Sequence, residues 1–141
     1  MINVLMVDDD AGDTLMAKEA LEGADLPLTL HITHDGLDAV SFLQNEAPYE
    51  SAPKPDFILL DLNMPRMTGH EFLDWLKSQD NLRSIPVIIL TTSDSAQDIE
   101  ACYNKNANCY ITKPVDLEDF TKIIIDTHRF WANTAKLPRR K

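Results

Sequence analysis

The segment Val4-Leu5-Met6-Val7-Asp8-Asp9-Asp10 places three consecutive carboxylates directly after an apolar run. A second apolar run, 57–60, ends in a fourth carboxylate, Asp61, within Asp61-Leu62-Asn63-Met64-Pro65. A third, 87–90, ends in the hydroxyls Thr91, Thr92 and Ser93. A weaker one, 109–111, ends in Thr112-Lys113-Pro114. Two carboxylates about 4 Å apart repel by about 4 kcal/mol at an effective dielectric near 20. A group of them must either share protons as a coupled set or hold a hard cation. Mg2+ suits such a group: it takes oxygen ligands in an octahedron and keeps several waters, so two carboxylates and one backbone carbonyl suffice. A carboxylate can also act as a nucleophile and form an aspartyl phosphate. A cation beside it neutralises an incoming phosphoryl group, and a hydroxyl and an ammonium can hold the phosphoryl oxygens. Taken singly, each residue has a plain reading: Asp caps turns, Thr91 ends a strand, and Lys113 lies on the surface. Four such groups, each closing a separate apolar run, point to phosphoryl transfer.

The elements that would position them follow from the patterning. Continuous apolar runs at 2–7, 57–60, 87–90 and, more weakly, 109–111 read as strands buried on both faces, as in a parallel sheet. The run 28–33 alternates apolar and polar residues, the pattern of a strand with one wet face at a sheet edge. Helical periods lie between the strands: Ala17-Ala20-Leu21-Ala24, Leu37-Val40-Leu43, Phe72-Leu73-Leu76, Ala96-Ile99-Tyr103, and finally Leu117-Phe120-Ile124-Trp131. Turn residues Asp35-Gly36, Pro53-Lys54-Pro55, Thr68-Gly69 and Ile85-Pro86 punctuate them, and 47–55 reads as the loosest loop. The order βαβαβαβαβα predicts an α/β fold, a doubly wound five-stranded parallel sheet with helices on both faces. In such sheets ligand sites form at the carboxyl ends of the strands, near the point where strand order reverses. Those are the ends that bear Asp8, Asp61, Thr91 and Lys113.

The totals bound the reading. With 141 residues, 44% hydrophobic, the chain suits one domain with a core rather than two. A net charge of −10 should repel nucleic acid and anionic lipid, so neither is an expected partner. The basic run Arg139-Arg140-Lys141 reads as a solvated terminus. No apolar stretch reaches membrane-spanning length and the start lacks a signal-peptide layout, so the expected compartment is the cytoplasm. Cys102 and Cys109 fit no metal or redox spacing and read as small buried hydrophobes. His31, His34, His70 and His128 form no metal-ligand pattern.

The set Asp8-Asp9, Asp61 within DLNMP, Thr91 and Lys113-Pro114 resembles the receiver domain of bacterial two-component response regulators over nearly the whole chain. The resemblance implies a flavodoxin-like (βα)5 fold with strand order 2-1-3-4-5, an order that general accounts of doubly wound folds already illustrate with a receiver. It implies a receiver over 1–131 and a tail over 132–141. It also implies that Asp61 is the phosphoacceptor, and that Mg2+ is bound by Asp9, Asp61 and the backbone carbonyl of Asn63, with Asp8 acting through water. Asp10 lies outside the usual acidic pair and is expected to begin the first helix. Lys113 should contact the phosphoryl group, Thr91 should be the switching hydroxyl, and Tyr110 the switch aromatic. The Lys113-Pro114 bond should be cis. Asn63, Thr92 and Ser93 should tune the rates, Thr92 being bulkier than the small residue common at its position. Such a domain catalyses only its own phosphorylation and dephosphorylation and is not a turnover enzyme.

A finer resemblance is carried by DLNMPRMTGHEF, IPVIILTTSDSAQDI, NCYITKPVDLEDF and Phe130-Trp131 followed by Lys136-Leu137-Pro138. These are similar to single-domain receivers serving phytochrome-type sensor kinases. The implied partner is a sensor histidine kinase. At this length no DNA-binding output domain is expected, so output would be protein contact: a phosphotransfer protein, a target or self-association. Ile123 and Phe130, seven apart and offset from the core stripe, add a second apolar face to the last helix. With Trp131 they are a candidate homodimer surface, the other cover for that face being the tail after Trp131.

Two rivals use the same residue types differently. A haloacid-dehalogenase-like phosphatase would use Asp8 as nucleophile in Asp8-x-Asp10, but Gly12 stands where that family wants Thr or Val, and Asp61 would be unexplained. A flavin-binding module would need a phosphate cradle after the first strand, where Asp8-Asp9-Asp10 would repel the phosphate. A degenerate receiver serving only as a scaffold is a third possibility, weakened by the complete set of site residues.

Overall fold

The computed structural model describes residues 1–138, so the basic run Arg139-Arg140-Lys141 lies outside the described residues. Ten elements alternate: β1 (Ile2–Val7), α1 (Ala11–Ala24), β2 (Leu28–Thr33), α2 (Gly36–Leu43), β3 (Phe57–Leu60), α3 (Gly69–Ser78), β4 (Val87–Thr91), α4 (Ala96–Asn104), β5 (Cys109–Thr112) and α5 (Leu117–Arg129). A π-helical turn, Phe130–Thr134, continues α5, so the expected boundary between receiver and tail at 131 falls inside one turn of helix. All strand pairs are parallel and the order is β2-β1-β3-β4-β5, as the resemblance implied.

The central strands are buried on both faces because alternate side chains enter two different cores. Leu5, Val7, Ile58, Leu60, Val87 and Ile89 face one way, toward Phe42 of α2, Leu73 and Leu76 of α3 and Cys102 of α4. Val4, Met6, Phe57, Leu59, Ile88 and Leu90 face the other way, toward Ala17 and Leu21 of α1 and Phe120 and Ile124 of α5. β2 and β5 are the edges, and their side chains are mostly half-buried. Cys102 and Cys109 are free thiols, the first buried, the second half-buried.

Each of the five helices starts with an N-cap side chain that accepts from a first-turn N–H: Asp10, Asp35, Thr68, Ser95 and Asp116. These caps stop the strand-to-helix loops within a few residues of the carboxyl ends and so keep those ends open above the sheet.

Three expectations are corrected. The Lys113-Pro114 bond is trans, and the cis X-Pro bond among the described residues is Ala47-Pro48. Trans is the ground state of an X-Pro bond by about 0.5–1 kcal/mol, and from it the Lys113 ammonium already reaches its carboxylate partners. The fully buried face of α2 is Gly36-Ala39-Phe42; of the expected stripe, Val40 and Leu43 are half-buried against the same core and Leu37 is exposed. Gly36 lies against the Met67 side chain and carbonyl, where a Cβ would not fit. The segment 47–55 is tied down rather than loose: Asn45 Nδ2 donates to the carbonyls of Tyr49 and Ala52, and the Tyr49 hydroxyl donates to Asp38. Among the described residues no helix is long and apolar enough to cross a membrane.

Candidate functional site

The order reversal between β1 and β3 brings the carboxyl ends of β1, β3, β4 and β5 together. Asp61 continues β3, its N–H donating to Val7 of β1 at 3.0 Å, and Asp8 continues β1, its N–H donating to Thr33 at 3.1 Å. Oxygens of Asp8, Asp9 and Asp61 lie within 4.8 Å of one another. Asp8 and Asp61 are buried while Asp9 is exposed, which leaves the cluster open on one side. Asp10 stands apart: its carboxylate caps α1 by accepting from Asp13 N–H.

Lys113 enters this cluster from β5. Its Nζ donates to Asp8 Oδ2 at 2.8 Å, to Asp13 Oδ2 at 2.8 Å and to Asp61 Oδ2 at 3.4 Å. Burial alone would lower its pKa, but the carboxylates of Asp13 and Asp8 outweigh burial and hold the ammonium firmly protonated. Burial pushes the Asp8 carboxyl up to about 6, against the pull of Lys113. One ammonium facing three carboxylates leaves a negative excess. A divalent cation is the charge that would balance it, and hard carboxylate oxygens are the donors such a cation takes.

Thr91 ends β4 with its side chain fully buried and its Oγ1 without a hydrogen-bond partner. A buried hydroxyl is normally paired, so this one is available to an acceptor that enters the cluster. Ser93 donates its hydroxyl to Asp98 at 2.6 Å, and its carbonyl accepts from the half-buried Tyr110 hydroxyl at 2.9 Å. Thr92 is exposed and lines a cleft of about 380 Å3 with Asp13, Lys113, Pro114, Val115 and Leu117. Asn63 is exposed, its N–H pointing back at Asp61 Oδ1 at 3.4 Å.

The candidate dimer residues separate. Ile123 and Trp131 pack against the α1/α5 core, as does Leu137 of the tail, and Trp131 lies 6.3 Å from Phe57 between ring centres. Phe130 is left 51% exposed, edge-on to Trp131.

Three contributors were not singled out from the sequence. Asp13 reaches Lys113 because it lies one helical turn beyond the Asp10 cap, a spacing that the sequence does display. Gly69 supports the acceptor loop: its N–H donates to Leu62, and a Cβ there would strike the Asp61 carbonyl and the Leu62 Cα. Arg66 clamps the same loop to the start of α2 through two bonds to Asp35, at 2.6 and 2.9 Å.

The phosphatase rival does not fit this geometry. Its nucleophile would be Asp8, yet both Asp8 oxygens are tightly held, by Lys113 at 2.8 Å and by Asp10 N–H at 2.9 Å, whereas those of Asp61 have only contacts at 3.4 Å.

Known proteins resemble the chain over nearly its whole length. Residues 4–125 match the family model of the response regulator receiver domain. Response regulator Rcp1 of Synechocystis sp. is 40% identical over 135 residues, spanning 96% of this chain and 92% of its own. The crystal structure of the Mn(2+)-bound form of Rcp1 superposes with a TM-score of 0.93 at 39% identity, covering 99% of this chain and 100% of that one. The phosphorylated cyanobacterial phytochrome response regulator RcpA superposes equally well, TM-score 0.93 at 38% identity, over 98% and 99% of the two chains. With a family model matched over residues 4–125 of its 141 and a relative 40% identical along nearly its whole length, the chain belongs to the response regulator receiver domain family and is homologous to phytochrome response regulators.

Proposed function

We propose that the chain accepts a phosphoryl group on Asp61 from a phosphohistidine of a sensor histidine kinase of the phytochrome type, in the cytoplasm. The observation that carries this reading is the Lys113 ammonium, buried among Asp8, Asp13 and Asp61 next to a buried hydroxyl that has no partner. An Asp61 carboxylate oxygen attacks phosphorus, the bond from phosphorus to the histidine nitrogen breaks, and the imidazole leaves with its electron pair. Lys113 Nζ, already 3.4 Å from Asp61, turns toward the transferred oxygens. The Thr91 hydroxyl gains the acceptor it lacks.

Mg2+ is the proposed cation, held by Asp9, Asp61 and the Asn63 backbone carbonyl. Asp8 acts through water because its own oxygens are already committed. The cation supplies charge neutralisation for the entering phosphoryl group. The exposed Val115 and Leu117 line the cleft, an apolar rim for a kinase helix to cover.

The output surface is the face of α4, β5 and α5, where Tyr110 and the segment 91–93 report the state of Asp61. A homodimer through the last helix, with the exposed Phe130 at its centre, is the reading we favour for self-association. A phosphotransfer protein is the alternative partner. The test is intact mass after acetyl phosphate, with and without Mg2+, on the parent and Asp61→Asn. One adduct that needs Mg2+ and is absent from Asp61→Asn is expected. No adduct in the folded parent, with a kinase donor failing too, would leave only the scaffold role.

A further inference from the structure

Away from the carboxylate cluster, a connected set of polar side chains joins α3, the β4–α4 loop and α4. His70, in the first turn of α3, places Nε2 3.0 Å from Asp98 Oδ1, and the Ser93 hydroxyl donates to Asp98 Oδ2 at 2.6 Å. The Asp98 carboxyl is held below the usual range, by Ser93 first and His70 second. An ionised carboxylate only accepts, so His70 Nε2 is the donor. Ser93 is held at two more atoms: its carbonyl accepts from the Tyr110 hydroxyl, and its Oγ accepts from Ser95 N–H at 3.4 Å. Ser95 in turn caps α4 by accepting from Asp98 N–H. Asp98 thus fixes Ser93 both through its side chain and through the start of its own helix.

Ser93 stands two residues beyond Thr91, in the segment that must place the Thr91 hydroxyl. Among the described residues neither His70 nor Asp98 makes a hydrogen bond to Asp61 or Lys113. Asp98 is joined to the end of β4 through that segment, by its bond to Ser93.

We propose that Asp98, anchored by His70, is a positioning residue that acts through Ser93 to lengthen the life of the phosphoryl group on Asp61. This rests on the receiver reading above. Loss of the group is attack by water on phosphorus: the bond from phosphorus to Asp61 oxygen breaks, the carboxylate is restored, and the protons of the water leave with inorganic phosphate. While its hydrogen is committed to Asp98, the Ser93 hydroxyl does not donate to that water. Pinning the segment also limits how far Thr91, two residues before Ser93, can swing away from the phosphoryl group. Cutting the Asp98 tether removes both protections.

The experiment follows the decay of the mass adduct after donor removal, in the full chain with Mg2+ present. Asp98→Ala should shorten the lifetime about three- to tenfold, the size of one partly exposed charge-assisted hydrogen bond. In a Ser93→Ala background the same change should do nothing. His70→Gln, which keeps an N–H for Asp98, should hold the parent lifetime better than His70→Ala. Asp74→Ala is the control, because it removes the Lys105–Asp74 ion pair, another tie between α3 and α4 at 2.9 Å, without touching Ser93. It should leave the lifetime unchanged. An unchanged lifetime in Asp98→Ala, an equal loss with and without Ser93, or an equal loss in Asp74→Ala each overturns the proposal. Amide hydrogen exchange at 93–96 in the unphosphorylated protein separates this from a failure of the receiver reading. Asp98→Ala should speed that exchange and Asp74→Ala should not, whether or not Asp61 is phosphorylated. Unaltered exchange in Asp98→Ala also overturns the proposal.

Discussion

Thr91→Val should change stability with opposite signs in the two states of the protein. Thr91 Oγ1 is buried at the end of β4 with no hydrogen-bond partner. A buried polar group left unpaired costs about 1–3 kcal/mol. Valine keeps the branched shape that a strand accepts and puts a methyl where the hydroxyl was. Without phosphoryl, the variant should be more stable than the parent by about 1 kcal/mol, the low end of that range. For a chain of this size that is about 3 °C in Tm. With phosphoryl on Asp61 the balance reverses, since a hydrogen bond to a charged group contributes about 1.5–3 kcal/mol and valine cannot donate one. The assay is urea denaturation of both proteins, before and after acetyl phosphate with Mg2+. The variant should start higher and gain less. If unphosphorylated Thr91→Val is instead less stable than the parent by more than about 0.5 kcal/mol, beyond the usual scatter of neutral substitutions, the hydroxyl has a partner and the reasoning fails.

Two further outcomes are expected. His128 is fully buried, its Nδ1 donating to the Ile124 carbonyl and its Nε2 unpartnered, and burial pushes its pKa from 6.5 down to about 4. The unfolded chain therefore binds this proton at a higher pH than the folded one. The His128 contribution, complete above pH 6.5, should fall by about 3 kcal/mol as pH drops toward 4. Because Asp8, raised to about 6, works in the opposite sense in both proteins, the check is the difference between them, the parent losing stability relative to His128→Leu between pH 7 and pH 4.5. Gly69→Ala should lower stability by about 1–3 kcal/mol through overpacking against the Asp61 backbone, and a urea midpoint equal to the parent's would show that the loop moves aside freely.

The sequence by itself determined the frame. A parallel sheet covered on both sides needs strands apolar at every position, and the runs at 2–7, 57–60 and 87–90 could serve as little else. Polar residues that close such runs must emerge at the carboxyl ends, so Asp8, Asp61, Thr91 and Lys113 were legible as a group before any coordinates, and their types named phosphoryl chemistry. The Asp10 cap was legible too, because it acts on an N–H group three residues away.

What depended on contacts between distant segments was decided only in three dimensions. Lys113 meets Asp13 across 100 positions and Asp8 across 105, and nothing local to either residue sets that distance. Gly36 is set against Met67 thirty-one residues on, and His128 against Phe57, which Trp131 also approaches. The division of Ile123, Phe130 and Trp131 into packed and exposed residues rests on the path of the chain after Arg129. The trans bond before Pro114 and the link of His70 through Asp98 to Ser93 are of the same kind. Periodicity reports which residues must be hidden from water. Which neighbours hide them, and which polar groups are thereby forced to meet, follows from how the helices settle on the sheet.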